Sequence, residues 1–406
     1  MEQILSQDEI NLLKWGKLEL VEDYFNKSNF IRLKTNQFLS IKIVSQWNND
    51  CGVLSWLISS LLGSDQNDQN DQNTLLCAPT LKANPNFKNS QGDTPLHLLC
   101  KSAEANGLTL GLLIAHGCNV NIVNNLGESP LHILCSRSEH KRVNYSLALE
   151  KIQVLLHWKA NPNKGNLYGE TPLHFLFSQD IQTKQFVKFR ILVFKLFLKY
   201  GFDLKTKNNS GETILHNYCF HCGEFSTLKI LMRQFLKILN CQTDDCKNTC
   251  LHALTLYNPN PKSINLLISN GADLSLQNSD GETPLHCLIN SVPHQDILQN
   301  LIPKFINQIN IQDMMGSSPF HLICLNSFNY PQTLLNLLSN PKIDYFLENY
   351  KGNNMMHLLC FTVNANFKLI EIANSKTDFK LLNKTNNKNQ TPLYFIVNSL
   401  LRIFKY

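Results

Sequence analysis

The pattern Gly281-Glu282-Thr283-Pro284-Leu285-His286 returns, with variations, along most of this 406-residue chain. Its last position falls at His97, His132, His174, His216, His252, His286, His321 and His357, and Tyr394 stands where a ninth histidine would fall. The successive spacings are 35, 42, 42, 36, 34, 35, 36 and 37 residues. A period of that size constrains the fold more than any composition does, because each unit is too short to bury its own apolar face and must stack on the next. The chain is a repeat array.

Local chemistry explains the pattern. Gly281 supplies the positive φ of a turn, the Thr283 hydroxyl caps the following helix, and Pro284 has the fixed φ suited to a first helical position. About twenty residues later a second apolar run stops at Asn270-Gly271-Ala272-Asp273, at His116-Gly117-Cys118-Asn119 or at Tyr200-Gly201-Phe202-Asp203. Glycine just past a helix is a left-handed stop, and Asn or Asp after it favours a turn. Each unit therefore reads as helix, short loop, helix, and an extended hairpin leading onward.

Gly-x-Thr-Pro-Leu-His, two helices and a Gly-Ala-Asp turn at this period resemble ankyrin repeats, from about residue 84 to the C-terminus. The resemblance implies an all-α, ankyrin-type helical repeat solenoid with β-hairpin turns, and motif histidines that bond the backbone of adjoining turns. The chain departs from the family where two alanines usually follow the residue after the histidine. It has Leu99-Cys100, Leu134-Cys135, Tyr218-Cys219, Ile323-Cys324 and Leu359-Cys360 there, so a bulky neighbour should pack beside each cysteine.

Read in order, residues 1–83 form a helical N-terminal cap and a degenerate repeat. Ser6-Gln7-Asp8-Glu9 is a capping box, and the Asp/Gln/Asn tract at 64–73 is a flexible insertion. Residues 84–386 hold eight repeats, and 387–406 supply a C-terminal capping half-repeat. The second and third repeats are long, with Arg137, Glu139, His140, Lys141 and Arg142 between the helices of the second and Lys184, Lys188, Arg190, Lys195 and Lys199 along a helix of the third.

With 43% hydrophobic and 17% charged residues, there is ample apolar material for a stacked core, and the surface is polar mainly through Asn, Gln, Ser and Thr. The first residues lack a basic region followed by an apolar run, and the most apolar stretch, 191–198, is short and broken by Lys195, so neither secretory signal nor membrane span is expected. The thirteen cysteines fall mostly inside helices, which suits buried free thiols and a cytoplasmic location. The Asn/Lys/Ile-rich composition resembles ankyrin proteins of intracellular bacteria, which implies an effector delivered into a host cytosol.

Two chemical readings arise. Asp50-Cys51-Gly52-Val53 resembles the nucleophile segment of cysteine proteases, and a thiol at a helix N-terminus has a lowered pKa. A cysteine hydrolase with Cys51 as nucleophile is thus the alternative, although no histidine precedes His97 and Asp50 would equally cap a helix. Cys219, His221, Cys222, Cys241, Cys246 and Cys250 contain a C-x-x-C and further thiols of the zinc-binding type. Against zinc, Cys219 and Cys250 occupy positions expected to lie more than a helical turn apart. No phosphate loop or dinucleotide fingerprint occurs, so no catalytic residue, metal or cofactor is expected.

What remains is the surface. The resemblance implies a concave face whose turn tips bind a partner protein, and the tips carry Leu126, Tyr168, Asp244, Asp245, Asp280, Met314, Met315 and Tyr350. From Arg137 to Lys207 there are 13 Lys and Arg against 5 Asp and Glu, while the whole chain is only +6. Lys141, Arg142, Lys184 and Lys188 are therefore candidate contacts for an acidic partner surface. A monomeric scaffold with no specific nucleic-acid partner is expected.

Overall fold

The structure, a computed structural model, describes residues 85–102, 105–115, 117–136, 144–291, 295–361 and 367–403. The chain divides into two compact units, Met1–Pro85 and Asn86–Tyr406, and every helix below belongs to the second. The expected N-terminal cap, the 64–73 insertion and Cys51 lie outside the described residues.

Helices come in pairs. The first four are α1 (Pro95–Lys101) with α2 (Gly107–Ala115), α3 (Pro130–Cys135) with α4 (Tyr145–His157), α5 (Pro172–Phe177) with α6 (Lys184–Lys199), and α7 (Ile214–His221) with α8 (Phe225–Phe235). Then follow α9 (Cys250–Tyr257) with α10 (Pro261–Ser269), α11 (Pro284–Asn290) with α12 (Gln295–Phe305), α13 (Pro319–Leu325) with α14 (Pro331–Leu337), α15 (Met355–Phe361) with α16 (Phe367–Lys376), and a last helix, α17 (Pro392–Ile403). Each odd-numbered helix packs on the next odd one, and each even helix on the next even one, so the described residues form two parallel rows of helices.

The rows share one apolar layer. Leu96, Leu131, Leu173 and Leu285 sit at the same motif position and are 0–1% exposed. Burying each is worth roughly 2 kcal/mol, and truncating one to alanine costs about 2–5 kcal/mol because its cavity is walled by two repeats. Cys100, Cys135, Cys219, Cys324 and Cys360 are equally buried beside Leu99, Leu134, Tyr218, Ile323 and Leu359, the small-beside-large pairing read from the sequence.

The turns repeat too. Asn278 N–H donates to the Glu282 carbonyl at 2.9 Å across a four-residue turn, with Gly281 at φ 73°. A Cβ on Gly281 would lie 2.7 Å from Met314 N, so the next repeat forbids a side chain there. The described turns are hairpin-like yet very short, and a single antiparallel bridge, Gln242 with Thr249, is their only strand pairing among the described residues.

Side-chain amides stitch the repeats together. Asn86 Nδ2 donates to the Gly117 carbonyl at 3.0 Å while its Oδ1 accepts from Asn119 N–H at 2.7 Å. Asn121 bridges Lys159 and Asn161 in the same way, and Asn240 bridges Gly271 and Asp273. Along a second line Gln242 donates to the Gln277 carbonyl at 3.0 Å, Gln277 to that of Gln312 at 2.9 Å, and Gln312 to that of Glu348 at 2.7 Å. The Asn and Gln content is in good part a set of inter-repeat ties rather than a solvating surface.

Two cations of the basic stretch are interior. Lys151 is 0% exposed, its ammonium donating to the carbonyls of Leu99 at 2.9 Å and Ser102 at 2.7 Å beyond the end of α1. Arg190, also 0% exposed, donates to the carbonyls of Leu176 at 3.3 Å and Gln179 at 2.5 Å, with its guanidinium 4.7 Å above the Phe186 ring and 5.1 Å from that of Tyr218. Carbonyls at a helix C-terminus carry partial negative charge, which stabilises a buried cation placed on them. Of the 13 Lys and Arg counted over 137–207, these two are therefore not at the surface.

Candidate protein-binding face

The site begins with the motif histidine. In the repeat of His286, Thr283 N–H and hydroxyl both approach Nδ1, at 3.0 and 2.9 Å, and Nε2 meets the Ser317 carbonyl of the next turn at 3.1 Å. A backbone N–H can only donate and a carbonyl can only accept, so the proton sits on Nε2 and the ring is neutral. The same geometry joins His97 to Glu128, His132 to Glu170, His174 to Glu212, His252 to Glu282 and His357 to Gln390. His216 reaches Cys241 and Asn248, and His321 reaches Leu347.

These rings are buried, and burial disfavours their charged form. His132, His174, His216 and His252 are lowered to about 4, chiefly by desolvation, with the carbonyl bond opposing it. His97, His286, His321 and His357 are lowered for the same reason. The histidines are rigid ties between turns, as the family resemblance implied.

What they hold in register is a row of turn tips. Leu167 N–H donates to the Leu126 carbonyl at 3.2 Å, Asn209 to Tyr168 at 2.9 Å, Asp244 to Ser210 at 3.2 Å, Ser279 to Cys246 at 2.8 Å, Met314 to Asp280 at 2.9 Å and Tyr350 to Met315 at 3.1 Å. The tips are thus tied turn to turn through the backbone, and their side chains stay outward. Tyr168, Met314 and Tyr350 are 66–69% exposed, and Leu126, Met315, Asp244, Asp245 and Asp280 are exposed as well.

The row brings the sequence candidates into two apolar groups. Leu126 and Tyr168 form one, joined by Leu167, which is 64% exposed at the second turn position, the position of Met314 and Tyr350, and was not among the sequence candidates. Met314, Met315 and Tyr350 form the other, the Tyr350 ring lying against Gly316. Between them stand Asp244, Asp245 and Asp280, with Asp244 paired to Lys207 at 2.6 Å. The basic candidates are not on this row: Lys184 is exposed and Lys188 half-buried on α6, among the second helices, while Lys141 and Arg142 lie outside the described residues.

The thiols are arranged for packing. Cys219 and Cys250 were expected to lie apart, yet the two thiols are near enough to influence one another, because α7 and α9 pack side by side. Cys250 also donates to the Leu239 carbonyl, and Cys222 lies 3.6 Å from the Tyr218 hydroxyl, whereas Cys246 is exposed at the fifth turn. No group of three or more His, Cys, Asp or Glu among the described residues is placed to hold a metal ion. Burial pushes the Cys118 and Cys360 thiols up to about 12, which leaves them poor nucleophiles.

Comparison with known proteins agrees with this geometry. A family model of a single ankyrin repeat matches residues 91–125, and a model of three ankyrin repeats matches 251–349. An ankyrin repeat protein of fowlpox virus (strain NVSL) is 37% identical over 161 residues, covering 38% of this chain and 45% of that protein. An ankyrin repeat protein of Acanthamoeba polyphaga mimivirus is 26% identical over 171 residues, covering 42% of this chain and 20% of its own length. The matched part spans less than half of either relative, and both are viral rather than bacterial. Two matching family models, the His-to-carbonyl ties between turns and the paired rows of helices lead to one conclusion: the chain carries ankyrin repeats, matched directly at 91–125 and 251–349.

Proposed function

We propose that this chain is a scaffold that binds a partner protein through its row of turn tips. Ankyrin repeats are protein-interaction modules, and the observation that supports this particular face is the pair of exposed apolar groups, Leu126–Leu167–Tyr168 and Met314–Met315–Tyr350, on turns tied to one another by backbone hydrogen bonds. Side chains that contribute little to the core and sit on a rigid backbone bind with little loss of conformational entropy.

The test is proximity capture with the full chain beside a variant carrying Tyr168→Ser, Met314→Ser, Met315→Ser and Tyr350→Ser. The circular dichroism and melting curve should match wild type, and partners captured by wild type should be lost. Unchanged capture would move the interface to the second helices.

There Lys184, Lys195 and Lys199 are exposed on α6 and would meet an acidic partner surface. Residues 1–83 and 387–406 act as caps in this reading, the scaffold is a monomer, and the free, mostly buried cysteines suit a reducing cytoplasm, of a host cell if the protein is an effector. No helix among the described residues is long and apolar enough to cross a membrane.

A further inference from the structure

Beside the apolar tips runs a line of carboxylates. The residue before each helix N-cap is Asp93, Glu128, Glu170 and Glu212 in the first four turns and Glu282 in the sixth, but Asn248, Ser317, Asn353 and Gln390 in the others. The first residue of each turn fixes the side chain: Asn124 Nδ2 donates to Glu128 at 3.0 Å and to Asp93 at 3.1 Å, Asn166 to Glu170 at 3.3 Å, and Asn208 to Glu212 at 2.8 Å.

Asp93 is neutralised, since Lys101 Nζ lies 2.5 Å from it. Glu128, Glu170 and Glu212 are half-exposed, and the hydrogen bonds above engage one oxygen of each. The cations on these turns are mostly committed elsewhere. Lys207 binds Asp244 and the Gln242 carbonyl, and Lys88 binds the Val123 carbonyl, while Lys164 is exposed on the third turn.

We infer that the turns of the second to fourth repeats receive an extended basic segment of the partner protein, its Lys or Arg side chains on Glu128, Glu170 and Glu212 and its apolar side chains on Leu126, Leu167 and Tyr168. This rests on the turn row being the binding face. Each of the second and third turns offers an apolar surface two residues from an anchored carboxylate, which matches a long cationic side chain that lays its stem on apolar atoms and its head on an acid. Adjacent helices of a row sit about 10 Å apart, so the three carboxylates span roughly 20 Å, the length of about six extended residues. The seventh to ninth turns present Ser317, Asn353 and Gln390 instead and add apolar contact without charge.

The experiment uses the full chain and two fluorescein-labelled peptides of about twelve residues, one of mixed Arg, Lys and Leu and one with Glu in place of every cation, followed by anisotropy at low and high salt. The basic peptide should bind and weaken by about tenfold or more on raising salt, and the acidic one should not bind. Glu128→Gln with Glu170→Gln and Glu212→Gln keeps the shape and the Asn contacts, and should weaken the basic peptide by about tenfold at low salt. Leu126→Ser with Leu167→Ser and Tyr168→Ser should weaken it at both salts.

Equal binding of the two peptides, or an undiminished affinity in the glutamine variant, overturns the basic-segment assignment. If that happens while the serine tip variant still loses its captured partners, the binding face stands and only the partner's chemistry falls.

Discussion

Acidification from about pH 7.5 to about pH 5 should unfold the middle of the array, because its histidines are held neutral. His132, His174, His216 and His252 have pKa values near 4 in the folded chain against 6.5 for an ordinary histidine. A depressed pKa means that the unfolded chain binds the extra proton, so stability is complete above pH 6.5 and falls as the pH drops towards 4. By pH 5 the loss is about 2 kcal/mol for each ring, or about 8 kcal/mol for the four, which is comparable with the roughly 5–15 kcal/mol that holds a whole domain together. The assay is urea unfolding followed by far-ultraviolet circular dichroism at a series of pH values. It should be read as helicity lost region by region, since repeat arrays depart from two-state behaviour. His174→Gln supplies the control. It should cost about 1–3 kcal/mol at neutral pH by leaving the Glu212 carbonyl without its donor, yet make the acid slope shallower by about one proton. A urea midpoint that is the same at pH 7.5 and pH 5, or a variant with the full wild-type slope, would refute the neutral-tie account.

Other expectations follow from single contacts. Arg190→Ala removes the cation that satisfies Leu176 and Gln179 and opens space among Phe177, Phe186 and Tyr218, so it should cost about 3 kcal/mol or more; an unchanged melting temperature would show that the guanidinium is not bound there. Reversing Lys141, Arg142, Lys184 and Lys188 to glutamate should slow association of an acidic partner at low salt, and stopped-flow rates indifferent to both reversal and salt would assign those charges to solubility. An activity-based thiol probe should give no labelling that Cys51→Ala abolishes, and such labelling would favour the hydrolase. Chelator should leave the melting curve unchanged, and a drop would contradict the packing role of Cys219 and Cys250.

Much of the fold is set by the sequence alone, because its rules act within a few residues. Glycine before a capping Thr or Ser, proline at the first helical position and histidine at the third are choices about local φ and local hydrogen bonds, so the turn, the helix start and the period could be read directly. The exposed tips were legible for the same reason: a residue at the apex of a four-residue turn has nowhere to bury its side chain. Other features needed the third dimension. In the sequence Lys151 and Arg190 are two of the 13 cations over 137–207, and it is the stacking of α4 and α6 on their neighbours that places both heads on backbone carbonyls at the ends of other helices. Cys219 and Cys250 are 31 positions apart and became neighbours only because α7 and α9 lie side by side. The asparagines and glutamines looked like a polar coat, whereas Asn121 and Gln277 each bridge to a repeat more than thirty residues away. Whether a polar side chain meets water or a buried carbonyl depends on what the next repeat puts beside it, and that is fixed by packing between units rather than by any residue's own neighbours in the chain.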